Sequence, residues 1–347
     1  MTAPFDPIPE PMLAKPIAEV PDAEGLSFEP KWDGFRAIVA VSPTGDVEIG
    51  SRGSKPLTRY FPELVAEFAR QLPKGTVVDG EIVVRAGVPG AEHLAWELLS
   101  QRIHPADSRV QKLSVETPAS FVGFDLLARD GISLLDAPFS ERRAALEKVL
   151  AKVESPVHLS QTTQDAEIAR RWLVEFEGAG LDGVVAKPLS APYQPGKRTM
   201  LKIKHSRTAD VVLIAYRTHK SGAGVGSLLL GLYTDAGDLV PVGGASAFSN
   251  TRRLELIDEL APLVERDEAG EVVTGQGERS RFSASKDVSY VKLRPERVME
   301  VKYDQLEGWR FRHVVQFLRW RPDRDPHSCT YDQLETPHEY DLSDVLA

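Results

Sequence analysis

The strongest constraint on the fold is a change of segment type near residue 206. Before it, strand-like runs such as "RAIVAV" alternate with helix-like runs such as "FPELVAEFARQL". After it, the apolar segments are short and strand-like, for example "DVVLIAYR", "SLLLGLY" and "HVVQFLRW", and an amphipathic helix interrupts them at 251–265. The 347 residues are enough for two domains. We therefore predict an α+β domain over residues 1–205 and a β-barrel domain of the OB type over residues 206–347.

Hydrophobic periodicity gives a coarse set of elements for the first domain. Residues 1–27 are rich in proline and predict an irregular arm. Apolar residues at helical spacing predict helices over 61–72, 140–153 and 166–180. Strands are predicted over 36–41, 45–51, 76–84, 120–128, 182–187 and 200–205.

Composition excludes several classes of protein. The formal net charge of −9 argues against a uniformly basic nucleic-acid binder, although local basic patches remain open. A single cysteine, Cys329, cannot form an internal disulfide or a four-cysteine zinc module, which fits a reducing cytoplasm. The N-terminus lacks the pattern of a signal peptide, and the longest apolar runs are too short to span a bilayer. We expect a soluble cytoplasmic protein.

The segment "FEPKWDGFR" carries opposed charges at strand spacing. Residues two apart in a strand share a face, so Glu29, Lys31 and Asp33 line up, and Gly34 allows a sharp turn before Arg36. One interpretation is a solvated strand edge with mutual ion pairs, which the spacing alone favours. The other makes Lys31 a nucleophile, which requires neighbouring cations because an ordinary lysine is protonated at neutral pH.

Acidic residues interrupt two segments that are otherwise apolar. "VVDGEIVV" places Asp79 and Glu81 on one face, and "FVGFDLL" places Asp125 beside Phe124. Buried carboxylates need a paired charge or a metal. A hairpin turn at Asp79-Gly80 would explain Asp79 but not Glu81. Phe124 could stack on a nucleobase, although phenylalanine in a buried strand is usually core.

Cations recur late in the first domain. "MLKIK" places Lys202 and Lys204 on one strand face, where a lysine pair can grip phosphate oxygens. "DGVVAK" adds Lys187, and the turn "SRG" adds Arg52. Each of these is also consistent with a solvated surface cation.

The order of these motifs identifies a family. "KWDGFR", "SRG", "VVDGEIV", "FVGFDLL", "DGVVAK", "MLKIK" and the late "RPDR" resemble, in sequence, the motifs of covalent nucleotidyltransferases. That superfamily includes ATP-dependent DNA ligases, RNA ligases and mRNA capping enzymes. The resemblance spans roughly residues 10–325, and it is closest to compact bacterial ligases of the C type and to the ligase module of the end-joining ligase D.

The resemblance implies a fold and a reaction. The first domain would be a nucleotidyltransferase (adenylation) domain of antiparallel sheets flanked by helices, followed by the OB-fold barrel. Lys31 would attack the α-phosphorus of ATP to form lysyl-AMP, with Lys202 and Lys204 on the α-phosphate. AMP would then pass to the 5′-phosphate of a nick, and the 3′-hydroxyl would displace it and seal the strand.

The resemblance also implies the remaining site residues. Lys187 would belong to the nucleotide site, and the other implied positions are Glu29 at the adenine edge, Phe124 stacked on adenine, Arg52 and Glu81 at the ribose, Arg36 at a phosphate of the nick, and Asp33 in the later steps. Arg321, Asp323 and Arg324 would approach the pyrophosphate as the barrel domain swings over the nucleotide. Asp182 stands where the family usually has Glu. The resemblance implies that Asp182 and Glu81 are the ligands of Mg²⁺ or Mn²⁺.

Two alternatives remain at this point. One is an RNA ligase or capping-type nucleotidyltransferase, and the other is a non-catalytic OB-fold protein that binds nucleic acid. An NAD-dependent ligase is disfavoured because only 30 residues precede Lys31 and one cysteine cannot build that family's zinc finger. The expected partners are nicked double-stranded DNA and repair proteins such as a primase-like polymerase. We expect a monomer with no membrane association, located at the nucleoid.

Overall fold

The computed structural model describes residues 8–53, 56–277, 288–335 and 339–346. The chain divides into two compact units. One comprises Met1–Lys204 together with Pro337–Ala347, and the other is His205–Thr336.

The first unit combines two sheets with flanking helices. The helices predicted over 61–72, 140–153 and 166–180 are confirmed, and each ends one to five residues earlier than expected. Two further helices were not predicted. The helices are α1 (Pro62–Gln71), α2 (Trp96–Gln101), α3 (Asp107–Glu116), α4 (Phe139–Val149) and α5 (Ala166–Glu175), with 3₁₀ turns at Thr58–Tyr60 and Leu342–Asp344. The strands are β1 (Leu13–Ile17), β2 (Leu26–Pro30), β3 (Phe35–Val41), β4 (Val47–Ser51), β5 (Thr76–Ala86), β6 (His93–Leu94), β7 (Ala119–Arg129), β8 (Ile132–Ser133), β9 (Val157–Leu159), β10 (Val184–Pro188) and β11 (Arg198–Ile203).

The smaller sheet brings three charged loop positions to one end. Its strand order is β1-β11-β10-β2, and β10 runs antiparallel to both neighbours. The end of β2 and the end of β11 therefore lie beside the start of β10. Lys31 follows β2, Asp182 precedes β10, and Lys204 follows β11. The Lys31 amide donates to the Gly183 carbonyl over 2.8 Å, and the Asp182 amide donates to the Lys31 carbonyl over 3.1 Å.

The larger sheet has the order β4-β3-β5-β7-β8, with β6 on β5 and β9 on β7. Its strand β5 is continuous through Asp79-Gly80, so the hairpin considered there does not exist. A Cβ at Gly80 would collide with the Phe121 ring and the Val122 carbonyl, which explains the glycine. The register shifts at this point, and Phe124 becomes the extra residue of a bulge in β7.

Asp125 lies in β7 next to this bulge and is neutralised by a buried arginine. Arg142 on α4 makes two hydrogen bonds to its carboxylate, at 2.8 and 3.0 Å, and the two side chains are 0% and 1% exposed. Arg142 also donates to the carbonyls of Ala137 and Ala191. The expectation that Asp125 needs a paired charge is confirmed, and the pair ties helix α4 to the central sheet.

Replacing Arg142 with alanine is expected to lower the free energy of unfolding by about 3–5 kcal/mol, because the Asp125 charge would stay buried without a partner. Chemical denaturation measures this loss. The control is Arg170→Ala, whose ion pair with Glu167 is exposed and whose loss is expected to cost less than about 1 kcal/mol. Equal losses in the two variants would contradict the assignment.

The second unit is a curled, mainly antiparallel sheet. Its strands are β12 (Arg207–Thr218), β13 (Val225–Tyr233), β14 (Leu239–Ala245), β15 (Thr274–Gln276), β16 (Ser289–Lys292), β17 (Val298–Tyr303), β18 (Leu306–Glu307), β19 (Arg310–Phe311) and β20 (Gln316–Trp320); its helices are α6 (Asn250–Leu260) and 3₁₀ turns at Ala261–Leu263, Pro326–Ser328 and Tyr331–Gln333. Strand β12 is the centre, because it pairs with β13, β16 and β17. Short strands around one inserted α-helix give the OB-type barrel that the sequence predicted. No helix among the described residues is long and apolar enough to cross a membrane.

The C-terminal residues depart from the predicted domain division. The sequence assigned all of 206–347 to the second domain, but residues 337–347 belong to the first compact unit. There Leu342 and Val345 are 0% and 1% exposed, and the Leu342 amide donates to the Glu92 carbonyl over 2.9 Å. The stretch is mostly acidic and polar, so the sequence did not indicate that Leu342 and Val345 are buried.

Candidate active site

Lys31, Asp182 and Lys204 form one ionic cluster. Lys31 Nζ donates to Asp182 Oδ2, and Lys204 Nζ lies 2.8 Å from Asp182 Oδ1. The Asp182 side chain is 3% exposed, whereas those of Lys31 and Lys204 are 20% and 27% exposed. Burial opposes ionisation of Asp182, but the two ammonium groups outweigh it and hold its pKa below the ordinary value. A buried carboxylate thus fixes two amines at a solvent-facing site.

Lys202 adds a third cation. It lies on β11 opposite Val185, and Val185 is opposite Glu29 on the other side. Burial lowers the pKa of Lys202, and the charges of Lys31 and Lys204 lower it further. Three amines around one carboxylate leave a net positive site, which favours an anionic ligand such as phosphate.

Glu29 on β2 and Lys187 on β10 form a second, buried ion pair. Their charged atoms are 2.8 Å apart and each side chain is 3% exposed. Lys187 also donates to the Phe124 carbonyl over 3.1 Å. Burial raises the pKa of Glu29 against the opposing charges of Lys187 and Arg143. Glu29 Oε1 is buried and accepts no hydrogen bond from the described residues. This acceptor suits a ligand amino group, such as that of adenine.

Arg36 is held by Asp79. Its Nε and Nη2 donate to the two carboxylate oxygens over 2.6 and 2.7 Å, and the Tyr193 hydroxyl donates to the same carboxylate over 2.7 Å. The predicted need of Asp79 for a charged partner is confirmed. The sequence assigned Arg36 to phosphate, and the structure shows that two of its nitrogens are already engaged within the protein.

Phe124 contacts two cations. Its ring centroid lies 4.4 Å from Arg36 Cζ and 4.6 Å from Lys187 Nζ, and the residue is 5% exposed. Both distances are typical of cation–π contacts. A base can stack on Phe124 only on the ring surface that these cations leave uncovered.

Glu81 faces Arg36 across the β3–β5 pair. Burial raises its pKa to about 7, against the opposing charges of Arg36 and Lys31. The Gly34 amide donates to Glu81 Oε1 over 3.2 Å, which links this carboxyl group to the loop that carries Lys31 and Asp33. Arg52 is exposed in the turn after β4, directly after Ser51, which pairs with Ala37 near the start of β3.

The predicted metal ligands do not make a metal site on their own. Within 8–53, 56–277, 288–335 and 339–346, no group of three or more His, Cys, Asp or Glu side chains is placed to hold an ion. Asp182 is engaged by two ammonium groups, which compete with a cation for its oxygens. Asp182 and Glu81 therefore do not fit as a preformed metal site.

Arg321, Asp323 and Arg324 lie in the second unit. Arg321 Nη1 lies 3.0 Å from both carboxylate oxygens of Asp210, and Arg321 Nη2 donates to Asp323 over 2.8 Å. Arg324 Nε lies 3.7 Å from Asp210. The hydrogen bond from Arg321 lowers the pKa of Asp323 to about 2. Asp210 and Arg321 thus brace the exposed Asp323.

Sequence reasoning missed Tyr193 and Arg143, which act on Asp79 and Glu29 respectively. Buried Asp79 signalled that a donor was required, but nothing in the sequence selected Tyr193, which is 114 positions away.

Comparison with known proteins gives matches over most of the chain. A family model described as "ATP dependent DNA ligase domain" matches residues 11–204, and one described as "ATP dependent DNA ligase C terminal region" matches residues 221–324. "DNA ligase C1" of Mycolicibacterium smegmatis is 52% identical over 352 residues, covering 100% of this chain and 99% of the relative. "DNA ligase C" of Mycobacterium tuberculosis is 50% identical over 362 residues, with the same coverage of each chain.

More distant matches point the same way. "Multifunctional non-homologous end joining protein LigD" of Mycobacterium bovis is 32% identical over 315 residues, which are 88% of this chain and 37% of that protein. A solved structure entitled "DNA binding with a minimal scaffold: Structure-function analysis of Lig E DNA ligases" is 16% identical, with a TM-score of 0.56. It covers 90% of this chain and 100% of its own, and it supports the fold.

Proposed function

The chain belongs to the ATP-dependent DNA ligases, and from this premise we propose how its residues divide the ligation reaction. It is a DNA ligase that uses ATP. The alternatives of an RNA ligase, a capping enzyme and a non-catalytic barrel are not favoured, because full-length relatives at about half identity are DNA ligases.

The observation that carries the mechanism is the cluster of Lys31, Asp182 and Lys204. We propose that Lys31 first gives a proton to solvent and that the neutral amine then attacks the α-phosphorus of ATP. A nitrogen–phosphorus bond forms, the bond between the α-phosphorus and the bridging oxygen breaks, pyrophosphate leaves with that electron pair, and the second amine proton also passes to solvent. Lys202 and Lys204 stabilise the charge that develops on the α-phosphate oxygens. Asp182 holds both amines in place, so that attack begins from an oriented group.

We assign nucleotide recognition to buried residues of the smaller sheet and to residues of the larger sheet. Glu29 Oε1 accepts a hydrogen bond from the adenine amino group, and Lys187 fixes Glu29 through their ion pair. Glu81 and Arg52 contact the ribose. Phe124 contacts the base through the small part of its side chain that is exposed.

The later steps use the neighbouring residues. Arg36 binds Asp79 through Nε and Nη2, and its Nη1 contacts a phosphate of the nick. Asp33 assists the sealing steps. Arg321, Asp323 and Arg324 act on the pyrophosphate side of ATP. Mg²⁺ or Mn²⁺ is assigned to the phosphates of the nucleotide, because the described residues include no group of three or more His, Cys, Asp or Glu side chains that could hold an ion.

The substrate is a nick in double-stranded DNA with a 3′-hydroxyl and a 5′-phosphate. We assign the enzyme to DNA repair at the nucleoid as a monomer, working with a primase-like polymerase or other repair proteins. The repair setting is supported by the relative named as a multifunctional end-joining protein.

A sealing assay tests this function. A labelled nicked DNA duplex is incubated with the protein, a divalent cation and ATP, NAD or GTP in separate reactions. Of the three nucleotides, we expect only ATP to give a sealed strand. With ATP, we expect an otherwise identical RNA nick to be sealed more slowly. Efficient sealing with NAD, or of the RNA nick only, would overturn the assignment.

Glu81 makes the stability of the fold depend on pH. Its pKa is about 7 in the folded protein against 4.5 ordinarily, so the folded state binds a proton that the unfolded state releases between these values. Stability is therefore lost as pH rises through this window, by at most about 3 kcal/mol. Glu81→Gln, which cannot ionise, is expected to raise the melting temperature at pH 8 relative to the unmodified protein, and to raise it much less at pH 5. An equal effect at both pH values would contradict the shifted pKa.

A further inference from the structure

The segment Glu339–Leu346, called here the return segment, packs against the first unit. Leu342 and Val345 are almost completely buried. The backbone is anchored twice, since the Leu342 amide donates to Glu92 and Gln161 Nε2 donates to the Val345 carbonyl over 3.3 Å. The Tyr340 ring lies 5.2 Å from that of Phe176.

The return segment enters the cluster that supports the catalytic loops. Leu342 and Val345 share one hydrophobic cluster with Trp32, Leu181 and Val83. Trp32 directly follows Lys31 in the chain, and Leu181 directly precedes Asp182. Val83 lies two residues after Glu81 on β5 and therefore on the same face. Each segment that carries one of these three site residues thus supplies a side chain to the cluster.

A polar connection runs in parallel with the apolar one. Trp32 Nε1 donates to Ser160 Oγ over 2.9 Å, and Ser160 is fully buried. The next residue, Gln161, holds the Val345 carbonyl. The loop between β9 and α5 therefore links the return segment to the residue beside Lys31.

We propose that the return segment is a positioning element for the first step of ligation. Docking of Leu342 and Val345 fixes Trp32 and Leu181, and these fix the backbone on either side of the Lys31–Asp182 ion pair. The proposal rests on the role of Lys31 as the nucleophile. It gives the residues after the barrel a task in nucleotide transfer, although they make no contact with Lys31 among the interactions described above.

This arrangement also follows the connectivity of the chain. The barrel unit lies between residues 204 and 337, so both of its ends continue into the first unit. One of these two chain connections leads into the return segment, whose Leu342 and Val345 lie in the cluster that contains Trp32.

The test separates two steps in the full-length protein. One measurement is the single-turnover transfer of labelled AMP from ATP to the protein. The other is the sealing of a nick that already carries AMP on its 5′-phosphate, a step that needs no bond to Lys31. At a temperature where the variant is folded, Leu342→Ala is expected to slow AMP transfer to the protein at least tenfold. It is expected to slow sealing of the adenylated nick less than twofold. Leu342→Met is expected to restore the first step.

The matched control is Leu146→Ala. Leu146 lies on α4, is equally buried, and belongs to a different cluster, with residues of the larger sheet and α1. It is expected to lose stability without a selective loss of AMP transfer. If Leu342→Ala does not fold, Val345→Ala and Gln161→Ala carry the same test.

Three outcomes are distinguishable. Selective loss of AMP transfer in the Leu342 variant supports the proposal. Normal transfer, or an equal decline of both steps in the Leu342 and Leu146 variants, overturns it while leaving the function intact. Labelling of the unmodified protein at a residue other than Lys31 overturns the proposed mechanism instead.

Discussion

Lys31→Ala is expected to carry no covalent AMP after incubation with α-labelled ATP and a divalent cation. The substitution removes the atom that we propose forms the nitrogen–phosphorus bond. Lys31 is also partly exposed, so the fold is expected to survive. Denaturing gel electrophoresis of the labelled protein measures the result, and sealing from ATP should vanish with the label.

Two matched variants control this experiment. Lys31→Arg keeps the positive charge beside Asp182 but provides a guanidinium that stays protonated, so we expect no label. Lys15→Ala removes an exposed lysine of β1 in the same sheet, and we expect full labelling. A label that persists in Lys31→Ala would falsify the assignment of the nucleophile.

Asp182→Asn is expected to slow AMP transfer about a hundredfold, because a neutral amide cannot fix two ammonium groups and small misplacements of a reacting group carry costs of this order. Single-turnover labelling measures the rate. Asp182→Glu restores the charge and the usual residue of the family, and we expect it to stay within about tenfold of the unmodified rate. A rate in Asp182→Asn equal to that of the unmodified protein would show that the cluster does not position Lys31.

Local patterning predicted much of the fold. The long helices carry clear periodicity, and α1, α4 and α5 lie where it placed them. Helix α2 was not predicted because six residues are too few to show a helical period. Helix α3 was not predicted because it buries only Val110 and Leu113, which gives a weak apolar pattern. The return segment was predicted in the second domain but lies in the first compact unit, where Leu342 and Val345 share a cluster with residues far away in sequence, such as Trp32 and Leu181.

The site shows the same division between local and long-range information. Strand spacing alone favoured solvated charges for Glu29, Lys31, Lys202 and Lys204. The ordered motifs made them candidates, and the sheet order places them at one end of the smaller sheet. The partners of the buried charges were not predictable, because Arg36–Asp79 and Asp125–Arg142 are set by the register and packing of the larger sheet and α4. For this reason the sequence directed Arg36 to a ligand and Phe124 to a base, while the structure gives both of them contacts within the protein.

The site has two kinds of charge, and burial separates them. Lys31 and Lys204 keep a fifth to a quarter of their side chains exposed, whereas Glu29, Lys187, Asp79 and Asp125 are nearly inaccessible. Breaking a buried pair is costly, so the inaccessible charges hold the scaffold. The more exposed amines are therefore the ones we propose to contact a phosphate.

The most direct test of the account is the location of the AMP. The protein is incubated with ATP and a divalent cation, digested under conditions that preserve the nitrogen–phosphorus bond, and its peptides are fragmented in a mass spectrometer. We expect AMP on Lys31 in the peptide that contains "KWDGFR", and its loss after nicked DNA is added. AMP on any other residue, or sealing from ATP without a covalent adduct, would contradict it.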